Sequence, residues 1–306
     1  MGGRGRRGVT REYYLSRRTH GWYIGPMLGR LFHISRPVLW INTVGPAVVG
    51  VWLSGDLWRW EALPLLLWLT LPFNLLIYGV NDIFDQETDA KNPRKGSLEG
   101  AKILPEEVRP IWRGVLLTNV PLLVYFLSVL PYEAVFWILL YAVLFVGYSA
   151  PPLRFKARPY LDSLSNAAYA FPLVFTPLAL GEGVVWPAAL GLMAWSAAKH
   201  TFDAVQDVEE DRDVEITTTA VRLGVRGVVF WSGAWWIIAT VCFALANPLV
   251  ALVNAVYAGA LLYALHRRPA PETGRRLYKY SIAFPYVAGT VAGVQLVGAI
   301  SLGAYS

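Results

Sequence analysis

The sequence predicts an all-α protein that crosses a membrane several times. Of its 306 residues, 55% are hydrophobic and 16% are charged, whereas a soluble domain carries about 25% charged residues. Apolar segments long enough to cross roughly 30 Å of hydrocarbon recur along the chain. Because only helices and closed barrels satisfy every backbone group inside lipid, these segments predict transmembrane helices.

Nine apolar segments are long enough to span the membrane. Short turns rich in proline and glycine separate several of them, at Leu130-Pro131-Tyr132, Gly181-Glu-Gly183 and Ala246-Asn247-Pro248. The long apolar segment 227–266 is divided into two spans at Asn247. The predicted spans are 37–54, 62–84, 110–130, 132–149, 160–181, 184–204, 227–246, 247–266 and 281–303.

Basic residues predict the orientation of the spans. The segment before the first span and the longer even-numbered connections are rich in arginine and lysine, while the odd-numbered connections hold only Arg59. Positive charge favours the cytoplasmic side, so the N-terminus is expected inside and, with nine spans, the C-terminus outside. Residues 1–35 are then a basic cytoplasmic tail and residues 36–306 a single transmembrane domain. The net charge of +6 reflects this topology and needs no nucleic-acid partner.

Three aspartates with helical spacing end the second predicted span. Asp82, Asp85 and Asp89 are three and four residues apart, which on a helix places the three carboxylates on one face. Like charges so arranged repel one another unless a cation neutralises them, and hard oxygen ligands suit Mg²⁺.

A second acidic cluster ends the sixth predicted span. Asp203, Asp207 and Asp211 recur every four residues, again on one helical face. Both clusters are predicted at the cytoplasmic ends of even-numbered spans. If the two halves of the chain pack together, the clusters can face each other and hold Mg²⁺ ions around a diphosphate. The alternative is a pair of solvated, acidic helix ends.

Basic residues beside the clusters are candidates for binding phosphate oxygens. Between the two clusters, Arg154 offers a forked donor, Lys156 a point charge and Tyr148 a hydroxyl donor. Arg94 and Lys95 follow the first cluster and have the same potential. The alternative for these cations is that they anchor cytoplasmic loops.

These motifs resemble those of the UbiA superfamily of intramembrane prenyltransferases. Residues 81–89 read NDxxDxxxD, residues 207–211 read DxxxD, and residues 148–156 are similar to the family's loop on the diphosphate side. The resemblance implies nine transmembrane helices around a central cavity, Mg²⁺ dependence, and transfer of a prenyl group from its diphosphate to a lipophilic acceptor. Asp203 lies one turn before the usual second motif, and the resemblance gives it no role.

Within the superfamily the chain is most similar to lycopene elongases. The likeness rests on Ser35-Arg36-Pro37, on Trp40-Ile-Asn42-Thr43 and on the longer runs that begin at Tyr78 and Tyr148. It implies dimethylallyl diphosphate as donor, lycopene or a related carotenoid as acceptor, addition of water in some members, and a place in a prokaryotic cell membrane.

The resemblance also implies residue roles. The catalytic carboxylates are Asp82, Asp85, Asp207 and Asp211, which bind Mg²⁺ together with Asn81 and Asp89. The diphosphate is held by Asn81, Tyr148, Arg154, Lys156, Arg94 and Lys95.

Two alternatives stay open at the level of sequence. One is a related prenyltransferase whose acceptor is an aromatic quinone precursor or another lipid. The other, from a different class, is a cation-coupled transporter, because carboxylates at membrane depth also suit ion pathways.

Overall fold

The computed structural model describes residues 24–55, 57–86 and 101–303, and every regular element in these ranges is helical. Each of the nine apolar segments coincides with a helix or with a run of consecutive short helices. The α-helices are α1 (Ile24–Ile34), α2 (Ile41–Leu53), α3 (Leu63–Trp68), α4 (Leu71–Asn74), α5 (Val80–Phe84), α6 (Val108–Val129), α7 (Tyr132–Ser149), α8 (Leu161–Leu164), α9 (Pro172–Ala179), α10 (Trp186–Asp203), α11 (Val208–Asp213), α12 (Thr219–Ala246), α13 (Pro248–Arg267) and α14 (Pro271–Ser301).

Six helical stretches in the described ranges are long and apolar enough to cross a membrane. They are Trp60–Phe84, Pro105–Val129, Tyr132–Ser149, Thr219–Ala246, Pro248–Arg267 and Pro271–Ser301. Helix α2 has only 13 residues, and α10 carries polar residues in its last turns. The prediction of an all-helical, polytopic membrane protein is therefore confirmed, while the count of nine spans and their orientation stay predictions.

The helix α1 lies within the predicted N-terminal tail and packs against the rest of the protein. Leu31 and Ile34 are buried in the apolar core. Arg30 donates to Glu107 at 2.8 Å and to the Lys102 carbonyl at 2.7 Å. These contacts fix the end of α1 and thereby the position of the segment that follows it.

The apolar core has two main clusters, one in each half of the chain. In the first, Trp68 lies 4.5 Å from Phe73 between ring centroids. In the second, Trp236 lies 5.4 Å from Phe202. Buried aromatic pairs of this kind add to the stability gained from apolar burial. Helix α5, which carries Asp82, and helix α10, which ends at Asp203, thus belong to different halves of the chain.

The second predicted span is an interrupted helix. At Thr70 the backbone leaves the helical region (φ −83°, ψ −125°), and α4 restarts with Pro72 in its first turn, where the missing amide proton is tolerated. A π-helical turn, Leu75–Gly79, then leads into α5. Because a π turn widens the helix locally, it changes the direction in which the following side chains point.

Polar side chains satisfy the carbonyl groups that this interruption leaves open. Asn74 donates to the carbonyls of Leu69 at 2.7 Å and Thr70 at 2.9 Å. Asn119 of α6 donates to the Pro72 carbonyl at 2.8 Å and accepts from the Trp68 indole at 2.9 Å. A broken helix inside a membrane needs such partners, since lipid offers none.

We expect Asn119→Ala to destabilise the protein by about 1–3 kcal/mol, because it leaves a buried carbonyl and a buried indole N–H without partners. Thermal unfolding in detergent micelles measures the effect. Ser128→Ala is the matched control, since Ser128 is exposed on the same helix and bonds only to a carbonyl of its own helix. Equal unfolding temperatures for the two variants would contradict this account.

Candidate active site

Asp82 is a buried carboxylate neutralised by an arginine from the segment after α1. It is 1% exposed, and Arg36 donates to its Oδ1 at 2.6 Å while the amide of Ala101 donates to Oδ2 at 3.3 Å. The Arg36 guanidinium also lies 4.4 Å from the ring centroid of Tyr78, a cation–π contact. The pair is thus held in place from three parts of the chain.

Arg36 is a site residue that sequence reasoning missed. Its charge was counted toward topology, and its place before Pro37 contributed only to the resemblance. In the structure it has a left-handed backbone (φ 51°, ψ 69°) at the start of the 3₁₀ turn Pro37–Leu39. A non-glycine residue in this region is uncommon and marks a position that its surroundings impose. Here the surroundings include Asp82.

The loop after α7 lies against the first acidic cluster. Lys156 pairs with Asp85, and its amine lies 3.4 Å from the side-chain oxygen of Asn81. Ser149 donates to the same Asn81 oxygen at 2.8 Å. Arg154 begins the 3₁₀ turn Phe155–Ala157 with a left-handed backbone (φ 39°), and in the described residues its guanidinium has no ion-pair partner.

The first cluster is less regular than its spacing predicts. Helix α5 ends at Phe84, and Asp85 has a non-helical backbone (φ −102°, ψ 4°), although its amide still donates to the Asn81 carbonyl at 3.0 Å. The regular α-helix therefore ends at Asp85. Asp89, Arg94 and Lys95 lie outside the described residues.

The second cluster has a similar break. The 3₁₀ turn Ala204–Asp207 follows α10, and Asp207 has nearly the same backbone as Asp85 (φ −102°, ψ 1°) before α11 begins. Asp203 therefore does not share a regular helical face with Asp207 and Asp211, contrary to what the four-residue spacing predicts. In both halves an aspartate of the motif has a backbone conformation outside the α-helical range.

Asp211 is destabilised as an anion. Burial, followed by the charge of Asp207, raises the pKa of the Asp211 carboxyl to about 7, although Thr218 donates to it at 3.2 Å. Each of two neighbouring carboxylates disfavours the ionisation of the other, and a cation bound between them offsets this repulsion. The chemistry of this pair therefore fits a metal site.

Arg275 of α14 holds the second cluster in position. Its guanidinium donates to Glu210 at 2.9 Å and to Glu209 at 3.3 Å, and also to the Gln206 carbonyl. These ion pairs are exposed and contribute little to the free energy of folding. Their effect is to attach α14 to the turn that carries Asp207.

Tyr148 lies between the two clusters. Its hydroxyl is 3.2 Å from His200 Nε2 on α10, and it is within electrostatic range of Asp85 in the first cluster and Asp211 in the second. The residue follows Gly147 at the end of α7 and precedes Ser149, which contacts Asn81. The structure thus brings the two clusters and the predicted diphosphate loop to one place.

Asp162 is a second residue whose role the sequence did not show. It is fully buried and accepts hydrogen bonds from the amide of Thr219, at 2.9 Å, and from the Thr219 hydroxyl. The bonds join the loop after α7 to the first turn of α12, 57 residues along the chain. The only sequence signal was its place at the end of the run that begins at Tyr148.

The donors fit Mg²⁺ that binds together with a phosphate ligand. Among the described residues, no three His, Cys, Asp or Glu side chains converge on a ready-made metal site. Instead the first cluster offers Asp82 and Asp85, and the second offers Asp207 and Asp211. Mg²⁺ usually takes one or two carboxylates and completes its octahedron with waters and substrate phosphate oxygens.

A cavity of about 220 Å³ lies beside Tyr148 and His200. It is lined by residues of the segment around α2, of α10 and of α14, and apolar and aromatic side chains such as Leu39, Pro46 and Trp195 form much of its wall. Such a cavity suits the apolar part of a ligand whose charged part is bound at the acidic clusters.

Known proteins share both the sequence pattern and the fold. The sequence profile of the UbiA prenyltransferase family matches residues 43–286. The chain is 36% identical over 239 residues to a lycopene elongase/hydratase of Haloarcula japonica, covering 76% of this chain and 80% of the relative. It is 30% identical over 274 residues to a lycopene elongase/hydratase of Corynebacterium glutamicum, covering 86% and 94%.

A solved structure of a UbiA homolog from Archaeoglobus fulgidus, bound to DMAPP and Mg²⁺, has the same fold. The two structures match with a TM-score of 0.66 at 18% sequence identity, over 85% of this chain and 99% of the other. The family match spans both acidic clusters and the loop between them. The chain therefore belongs to the UbiA prenyltransferase family.

Proposed function

We propose that the protein transfers a dimethylallyl group from its diphosphate to lycopene or a related carotenoid, with Mg²⁺ as cofactor. The observation that carries the proposal is the meeting of two acidic clusters with a basic loop at Tyr148. The names of the relatives, lycopene elongase/hydratase, support the acceptor. We place this site at the cytoplasmic face of a prokaryotic cell membrane.

The acidic residues bind the metal that the leaving group requires. We assign Asp82, Asp85, Asp207 and Asp211 as ligands, with Asn81 and Asp89 completing or orienting the set. When bound, Mg²⁺ neutralises the charge that develops on the departing diphosphate, which is where such sites supply most of their catalysis.

The basic residues first neutralise the carboxylates and then bind the phosphate oxygens. In the structure Arg36 pairs with Asp82, and Lys156 pairs with Asp85. If Asp82 and Asp85 held a metal ion, Arg36 and Lys156 would be free to donate to the diphosphate oxygens. Arg36 Nε supports this, since it is buried without a hydrogen-bond partner in the described part of the chain. Further hydrogen-bond donors to the phosphate oxygens in this proposal are Tyr148, Arg154, Arg94 and Lys95.

The allylic C–O bond then breaks, and its electron pair leaves with the diphosphate. The terminal double bond of the acceptor attacks the allylic carbocation, which forms the new C–C bond and moves the positive charge to a tertiary carbon. Apolar side chains such as Leu39, Pro46 and Trp195 line the cavity in which the hydrocarbon part of the substrate would lie. Loss of a proton or capture of one water molecule ends the reaction.

The cavity favours a hydrocarbon acceptor over an aromatic acid. A hydroxybenzoate-type acceptor requires a cation for its carboxylate. The one lysine that lines the cavity, Lys199, is already paired with Asp203. A carotenoid end group has no charge and needs no such partner.

Asp82→Asn and Asp207→Asn should each lower prenyl transfer at least about 1,000-fold, a loss of about 4 kcal/mol of transition-state stabilisation. Release of diphosphate and formation of product from labelled dimethylallyl diphosphate are measured in detergent. Asp213→Asn, an exposed neighbour of the second cluster, is the matched control. Undiminished turnover in either variant, or in excess EDTA, would refute the metal assignment.

Arg36→Gln should raise the KM for the prenyl diphosphate and lower kcat/KM at least about 100-fold, since a buried charge partner of both Asp82 and the substrate is lost. Steady-state kinetics at saturating acceptor measure the change. Arg30→Gln removes a nearby arginine that pairs with Glu107 instead and should leave the KM nearly unchanged. Equal effects of the two substitutions would show that Arg36 acts only through folding.

Expression in a lycopene-accumulating host tests the acceptor. We expect new pigments heavier by one and two C5 units, with or without the mass of water, and none with the Asp82→Asn variant. Product formation from a labelled hydroxybenzoate, with lycopene left unchanged, would instead support the aromatic acceptor.

A further inference from the structure

Helix α10 gives the apolar cavity a polar strip. Ser196, Lys199, His200 and Asp203 all line the cavity, and spacings of three and four residues place them on one side of the helix. Asn42 and Asn166 add two amides. The remaining lining is apolar or aromatic and includes Leu39, Ile41, Pro46, Ile282 and Pro285. A hydrocarbon ligand gains nothing from these polar groups, so they require another explanation.

Asp203 is the member of the strip with an unused acceptor. Lys199 pairs with its Oδ2, while Oδ1 is buried and has no hydrogen-bond partner in the described residues. A buried acceptor left without a donor costs about 1–3 kcal/mol, so the position favours a ligand that can donate. Water is small enough, and at about 30 Å³ each several molecules fit the cavity.

Asp203 is separate from the metal-binding carboxylates. The 3₁₀ turn Ala204–Asp207 interrupts the helix between Asp203 and Asp207, so the two side chains do not follow one helical face. Asp203 lies in the cavity wall, paired with a lysine of its own helix. His200, the other titratable neighbour, faces the Tyr148 hydroxyl through Nε2. Asp203 is thus the carboxylate placed beside the apolar ligand.

We propose that Asp203 is a catalytic base that holds a water molecule and directs it to the tertiary carbocation formed by prenyl transfer. The inference rests on the proposed function. A lone pair of the water forms the new C–O bond with the cation. One O–H bond of the water then breaks, its electron pair stays on oxygen, and the proton passes to Asp203 Oδ1. The products are a tertiary alcohol and a protonated Asp203, so charge and atoms balance.

Lys199 is the positioning residue in this scheme. Its amine binds Oδ2 of Asp203, which fixes the carboxylate in the cavity wall and leaves Oδ1 as the acceptor for the water. The protonated alcohol that forms transiently is a strong acid, so even a lysine-paired carboxylate is basic enough to accept its proton.

The test measures the partition between alcohol and alkene products. Wild-type enzyme and Asp203→Asn are each supplied with dimethylallyl diphosphate and lycopene in oxygen-18 water, and the pigments are analysed by mass. We expect Asp203→Asn to retain total prenyl transfer within about threefold of wild type. The fraction of product that contains labelled oxygen should fall at least about tenfold, because the cation then loses a proton instead.

Two further variants keep the result unambiguous. Lys199→Gln combined with Asp203→Asn removes both charges together, avoids a buried unpaired lysine, and should show the same low alcohol fraction. Asp213→Asn, an exposed aspartate beyond the 3₁₀ turn, should keep the wild-type ratio. The alkene product itself reports that each variant is folded and active.

Three outcomes would overturn the inference. An unchanged alcohol fraction in both Asp203 variants would exclude the base. A loss of total transfer as deep as in Asp82→Asn, with the ratio unchanged, would place Asp203 with the metal ligands. A wild-type enzyme that transfers the prenyl group without incorporating labelled oxygen would remove the hydration step and leave the proposed function standing. Only an absence of transfer by the wild type would contradict the proposed function itself.

Discussion

The rest of the site depends on one constraint. Carboxylates that lie at the end of a helical membrane bundle need partners that neutralise their charge. Three aspartates of the acidic clusters have a cationic partner in the described part of the chain: Arg36 for Asp82, Lys156 for Asp85 and Lys199 for Asp203. A buried charge without a partner costs several kcal/mol. The first two pairs therefore restrict where the segment after α1 and the loop after α7 can lie, and they bring Arg36 and Lys156 to the first acidic cluster.

The sequence predicts the helical class and the chemical content of the site because both depend on local patterns. Apolar segment length predicts spans, and the spacing of Asp82 and Asp85, or of Asp207 and Asp211, predicts paired carboxylates. The interruptions at Thr70 and the π turn before α5 were not predicted, since they depend on partners such as Asn119, 47 residues from the carbonyl it satisfies. Local spacing carries no information about contacts of that range.

The lack of long-range information in local spacing also explains why some residues were missed or left without a role. Arg36 looks like any basic residue before a first span until its contact with Asp82, 46 residues away, is known. Asp162 needs its bonds to Thr219 before it can be interpreted. Asp203 fits the four-residue spacing of the second cluster, and only the 3₁₀ turn after it shows that it belongs to the cavity instead.

The pairing of Asp82 with Arg36 and of Asp85 with Lys156 also affects whether the protein can fold in the cell before it binds metal. In zinc fingers and similar domains the metal completes the fold, so the apoprotein is unfolded. Here Arg36 and Lys156 of the chain itself balance the charges of Asp82 and Asp85. The protein can therefore insert and fold before metal or substrate arrives, and a fall in free Mg²⁺ would suspend its activity without sending it for degradation.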